Sequence, residues 1–78
     1  MVKIVLHKLT KEYVQYKFYP EGREGKYGIV QINLSDYKRV LVQDIEGAWS
    51  AYKGHAWQHA ERLAREGKFP QVSWAAWY

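Results

Sequence analysis

Apolar and polar residues alternate with a period of two through most of the first 46 residues of this 78-residue chain. The alternation is clear at residues 2–6, 13–19 and 28–34, and less regular at 39–45. This period is typical of strands with one face toward a core and the other toward water. The links between these segments are short, whereas parallel pairing needs a crossover of about a dozen residues. We therefore predict an antiparallel meander of three or four strands.

The period changes to that of a helix in the last third of the chain. Small and apolar residues recur there at intervals of three and four, at Tyr52, Ala56, Ala60, Leu63 and Ala64. Ser50 suits the N-cap and Gly67 suits the positive-φ position that ends many helices. We predict a helix over residues 51–66, packed across one face of the sheet. Gly54 costs about 1 kcal/mol in a helix interior, so it marks either close helix–sheet packing or a start nearer His55.

Together these elements predict a single α+β domain spanning residues 1–78, because a chain of this length has no room for a second core. The segment 72–78 is interpreted as a last strand or an ordered coil, whose aromatic side chains pack back onto the fold or meet another chain. The predicted core consists of Ile4, Leu6, Val14, Tyr16, Phe18, Val30, Ile32, Tyr52, Ala56, Ala60 and Leu63.

Composition narrows the possible functions. The chain has no cysteine, which excludes disulfides and thiolate metal sites. Segment 1–8 lacks the features of a secretory signal, and no apolar run approaches the roughly 18 residues that span a bilayer, so we expect a cytoplasmic protein that does not enter a membrane. Its formal charge is +4, and it contains four Trp, seven Tyr and two Phe.

Two histidines, His55 and His59, are four residues apart on one face of the predicted helix. This spacing can bind zinc, but the metalloprotease pattern needs Glu directly after the first His, where this chain has Ala56. A metal site would need a third ligand from elsewhere, with His7, Asp44 and Glu46 as candidates. We favour structural roles for both histidines. No catalytic constellation or phosphate-binding loop is present, so we predict no enzymatic activity and no cofactor.

The predicted sheet face opposite the core carries aromatic and basic side chains. Tyr13, Gln15, Lys17 and Tyr19 share this face, which also includes Tyr27. Aromatic rings with nearby lysines can stack bases and hold phosphates. However, acidic residues are interleaved with basic ones along the chain. An ordinary solvated face is therefore favoured over a nucleic-acid-binding surface, which remains the alternative.

The remaining aromatic residues suggest a protein interface. Trp57 lies off the apolar helix stripe, and Trp74 and Trp77 are in the final segment. Tryptophan and tyrosine are enriched at interfaces because they bury a large area while ordering few torsions. The leading prediction is thus a small non-enzymatic binding module that contacts a protein partner or a second copy of itself.

Several short segments resemble a group of short, uncharacterised bacterial α+β proteins of unknown function. They are Phe18-Tyr19-Pro20-Glu21-Gly22, His55-Ala56, Phe69-Pro70 and Ala76-Trp77-Tyr78. The resemblance implies a bacterial cytoplasmic protein and gives no catalytic residues. It also implies that the end of the chain packs beside the helix.

Overall fold

The computed structural model describes residues 1–23 and 25–76. Five strands form one antiparallel sheet in the order β4-β3-β2-β1-β5, and one helix packs on it. The α+β class is confirmed. The elements are β1 (Val2–Leu9), β2 (Tyr13–Pro20), β3 (Gly28–Asn33), β4 (Arg39–Gln43), α1 (Ser50–Arg65) and β5 (Val72–Ala75).

The sheet has five strands rather than three or four. The fifth is β5, which pairs antiparallel with the edge of β1, with Lys3 opposite Trp74. Of the two interpretations of segment 72–78, a strand or an ordered coil, the structure therefore shows a strand over Val72–Ala75. The link before β5 is held by the buried Tyr16, whose hydroxyl donates a hydrogen bond to the carbonyl of Pro70 at 2.8 Å.

The core lies between α1 and the face of the sheet that α1 covers. Most of the predicted core residues are buried there. Leu6, Tyr52 and Leu63, which were also predicted as core residues, are half-buried and pack against it. Val2 and Ala64 belong to the core and were missed.

The helix begins at Ser50, one residue earlier than predicted, and ends at Arg65. The N-cap is Trp49 and makes no capping side-chain hydrogen bond, so the assignment of Ser50 as N-cap was wrong. Gly67 has a φ of 70°, as the sequence predicted. Gly54 lies inside the helix, and apart from its chain neighbours and the adjacent helix backbone no described atom is within 4 Å of the point where its Cβ would be. It therefore marks neither a close approach nor a helix start.

Two irregularities interrupt the strand registers. In β1 the pairing passes from Leu6 opposite Tyr16 to Lys8 opposite Gln15, which leaves His7 as a bulge. In β4 a similar shift leaves Val42 between the paired positions. A bulge reverses which face the following residues occupy. The 16-residue helix of the described chain is too short and too polar to cross a membrane.

Candidate functional site

The sheet face turned away from α1, here called the open face, collects the candidate binding residues. Cross-strand partners share a face, so the registers identify its members. They are Lys3, Val5, Lys8, Tyr13, Gln15, Lys17, Tyr19, Ile29, Gln31, Asn33, Val40, Gln43, Val72 and Trp74. Tyr27, directly before β3, joins them through its ring contact with Tyr19.

Lysine ammonium groups lie over aromatic rings at two places near one end of the open face. The Nζ atom of Lys17 is 4.7 Å from the centroid of the Tyr27 ring, and that of Lys3 is 5.9 Å from the Trp74 ring. The rings of Tyr19 and Tyr27 are 5.6 Å apart and tilted by 45°. Attraction between a cation and the face of a ring holds such pairs together while leaving the ammonium hydrated.

These contacts lie along one row that crosses three neighbouring strands. Trp74 is opposite Lys3, and Lys3 is opposite Tyr19. A depression of about 320 Å³ opens beside the row and is lined by Lys3, Val5, Tyr19, Gly25 and Tyr27. Its lining combines ring faces, an ammonium group and an apolar side chain, which suits a planar anionic ligand.

At the opposite end of the open face, a lysine again lies beside an aromatic ring, and three side-chain amides form a row of hydrogen bonds. Lys8 lies 5.8 Å from the ring of Tyr13. Gln15 donates a hydrogen bond to Gln31 at 2.9 Å, and Gln31 donates one to Asn33 at 2.8 Å. Each amide carries both donor and acceptor atoms, so this row can also hydrogen-bond a polar ligand edge.

The strand positions of the open face differ from the helix side of the sheet in their acidic residues. The strand positions of the open face include three lysines and, among the described residues, neither Asp nor Glu. On the helix side, Glu61 accepts hydrogen bonds from Arg65 and Arg39, both at 3.1 Å. These two guanidinium groups, Arg65 first, lower the pKa of Glu61 below its usual value. Asp44 similarly has its pKa lowered, chiefly by the hydrogen bond from Lys53.

The two histidines lie on the other side of the sheet, beside a groove between α1 and β5. The Nδ1 atom of His59 is 2.8 Å from a guanidinium nitrogen of Arg62, and Nε2 is 2.7 Å from the hydroxyl of Ser73. Arginine can only donate, so Nδ1 accepts and Nε2 carries the proton. Burial, and secondarily the charge of Arg62, lowers the pKa of His59.

This geometry does not match the metal-binding alternative for His55 and His59. Both ring nitrogens of His59 are engaged, one of them with a cation that would repel a metal ion. In the part of the chain that the structure describes, no three His, Asp or Glu side chains group as a metal site would need.

The tryptophans occupy different environments. Trp57 is half-buried, and its indole nitrogen donates to the carbonyl of Val40 at 3.2 Å, so it packs onto β4. Trp74 is 47% exposed on the open face. The predicted interface residue Trp77 lies outside the described residues.

Sequence reasoning placed Tyr13, Lys17, Tyr19 and Tyr27 on one surface, and the structure brings them together on the open face. It omitted Lys3, although alternation in β1 predicts its side, and Lys8, which alternation assigns to the wrong side. Only the bulge at His7 turns Lys8 to the open face. A single sequence carries no clear signal for that bulge.

Comparison with known proteins found no matching family model, no curated protein and no solved structure with significant similarity. The resemblance to short bacterial α+β proteins therefore stays a prediction.

Proposed function

We propose that this chain is a binding protein rather than an enzyme, and that its open face binds single-stranded nucleic acid. The observation that carries the proposal is the grouping of three lysines with four aromatic side chains on one sheet face whose strand positions hold no carboxylate. In keeping with the family resemblance, we place the protein in the bacterial cytoplasm.

Each part of the face has a role in binding a flexible polyanion. The rings of Tyr19, Tyr27 and Trp74 offer stacking surfaces, and stacking on an aromatic side chain contributes about 1–3 kcal/mol per base. Lys3 and Lys17 lie next to these rings and can contact the phosphates between stacked bases. Duplex DNA hides its base faces, so a flat aromatic surface selects single strands.

A protein partner is the competing occupant of the open face. Lysine is depleted at protein–protein interfaces. A face whose charged strand residues are all cationic instead suits a polyanion. The sequence alone favoured an ordinary solvated face because its charges are interleaved along the chain. In the folded chain, β-strand alternation and the bulge at His7 direct Lys3, Lys8 and Lys17 to one side of the sheet, at strand positions without a carboxylate.

The proposal is tested by titrating fluorescently labelled single-stranded DNA and RNA with the protein and following anisotropy. We expect saturable binding that weakens between roughly 50 mM and 200 mM salt. Three phosphate contacts predict a slope of log K against log salt of about −2, from ~0.7 per phosphate for single strands. A triple Lys3→Gln, Lys8→Gln, Lys17→Gln variant should lose most of that slope.

The matched control removes three positive charges from the helix side with Lys53→Gln, Arg62→Gln and Lys68→Gln. These residues lie away from the open face, and we expect the control to bind nearly as tightly as the unmodified protein. No saturable binding at the lower salt, or an equal loss in both triple variants, refutes the proposal. The second outcome would mean that only net charge matters.

A further inference from the structure

We propose that two copies of this protein pair through β4, so that two five-stranded sheets become one ten-stranded sheet. As an edge strand, β4 has a partner on one side only, β3. All five of its residues are exposed, and three of them are large and apolar. Val40 and Leu41 are each 38% exposed and Val42 is 46% exposed. Exposed apolar edges of this kind readily pair with another strand.

The register of β4 with β3 identifies which backbone groups face outward. Asn33 donates a backbone hydrogen bond to Lys38 at 2.9 Å, which makes this pair a hydrogen-bonded one. Bonded and non-bonded pairs alternate along antiparallel strands. The next pairs contain Arg39, Val40 and Leu41 in turn. By alternation, the N–H and C=O groups of Arg39 and Leu41 point away from β3, whereas those of Val40 point toward it.

A second copy fits this edge because the outward groups are self-complementary. In antiparallel self-pairing centred on Val40, Arg39 of each copy is opposite Leu41 of the other. Each copy contributes two outward N–H groups and two outward C=O groups. These groups form four hydrogen bonds between the two copies. The side chains are also compatible with this pairing. Arg39 and Leu41 both lie on the helix face, and the Val40 side chains of the two copies are opposite each other on the open face.

The charges along β4 permit this arrangement. The cation of Arg39 is opposite an apolar residue rather than another cation, and it is already paired with Glu61 of its own chain at 3.1 Å. The bulge at Val42 lies outside the segment 39–41 that pairs. An unrelated strand would meet the same outward groups, but only a second copy reproduces the register on both sides of a two-fold axis.

The pairing also has a consequence for binding. Antiparallel neighbours in one sheet are related by a two-fold axis perpendicular to that sheet, so both open faces lie on the same side. A dimer then presents one continuous surface twice as wide as that of a single chain. The two copies of Val40 lie at its centre.

Sedimentation equilibrium over a dilution series, without nucleic acid, tests the pairing separately from ligand binding. We expect the measured mass to rise toward twice the chain mass of 9.3 kDa. Val40→Lys and Val40→Asp each place like charges opposite one another across the two-fold axis, so each variant alone should be monomeric. Mixed in equal amounts, they should form a heterodimer because the opposed charges then attract.

Val72→Lys is the matched control, since Val72 is a valine on the other edge strand with 49% exposure. It should dimerise like the unmodified protein, and circular dichroism checks that every variant is folded. A mass of one chain at all concentrations overturns the proposal. So does a mixture of Val40→Lys and Val40→Asp that stays monomeric, or loss of the dimer in Val72→Lys.

Discussion

Replacing Tyr16 with Phe tests the contact that joins the centre of the sheet to the fifth strand. The side chain is buried on β2, and its hydroxyl donates a hydrogen bond to the carbonyl of Pro70, just before β5. Tyr16→Phe keeps the ring and so creates no large cavity. The variant removes one hydrogen bond and leaves a carbonyl without its donor.

At neutral pH this change should lower the free energy of unfolding by about 1 kcal/mol, the usual net value of one protein hydrogen bond. At high pH the same buried hydroxyl lowers the stability of the folded protein. Burial raises the pKa of Tyr16 to about 12, whereas its ordinary value is 10. Between these two values the unfolded chain loses the proton and the folded chain retains it, so the stability of the unmodified protein falls.

Two pKa units correspond to about 3 kcal/mol at full ionisation, of which about 2 kcal/mol is lost by pH 12. The loss therefore exceeds the hydrogen bond, and the order of stability must invert. Tyr16→Phe should be the less stable protein at pH 7 and the more stable one at pH 12. The two stabilities should be equal at roughly pH 10 to 11.

Urea unfolding of both proteins at a series of pH values measures this difference, because other titrating groups largely cancel in the comparison. Tyr19→Phe, at a half-buried position of the open face, controls for the loss of a tyrosine hydroxyl as such. A difference in unfolding free energy that does not change between pH 7 and pH 12 would refute the assigned burial of the hydroxyl. Equal stability at pH 7 would refute the hydrogen bond.

Three further substitutions have expected outcomes in thermal or urea unfolding. Gly54→Ala should stabilise the protein by up to about 1 kcal/mol, because the helix interior favours Ala and no described atom obstructs the new Cβ; a loss of stability would contradict this. Gly28→Ala should destabilise it by about 1–3 kcal/mol, because the new methyl group overlaps the ring of Phe18, and a neutral effect would show that the contact is loose. The pKa of His59 is lowered on folding, so the unfolded chain takes up a proton first and stability should fall as pH drops below about 6.5. His59→Gln should weaken that pH dependence, and a dependence that stays the same in this variant would contradict the role of burial.

Local pattern was enough to predict the larger elements and the side of the sheet that each faces. Alternation identified the buried residues of β2, such as Val14 and Phe18, and the 3.6-residue period identified Ala56 and Ala60 in the helix. These predictions succeed because one face of each element is buried against the same core, which imposes the period.

The remaining features depend on tertiary contacts that leave no periodic signal. Strand β5 has four residues and is defined by its pairing with β1. Trp57 lies off the apolar stripe, yet it is half-buried because its indole reaches the Val40 carbonyl on β4. The bulge at His7 moves Lys8 to the open face by inserting one unpaired residue.

The aromatic residues are divided between the core face and the open face of the sheet, and the two groups have different roles. Tyr16 and Phe18 fill the core, as a small domain without disulfides requires. Tyr19 and Tyr27 make a ring contact on the opposite face, which contributes about 0.5–1.5 kcal/mol beyond the area that they bury. Their stabilising role alone does not require Lys17 to be placed 4.7 Å from a ring. If the open face binds nucleic acid as we propose, the ammonium of Lys17 is placed to contact a phosphate when a base stacks on the ring.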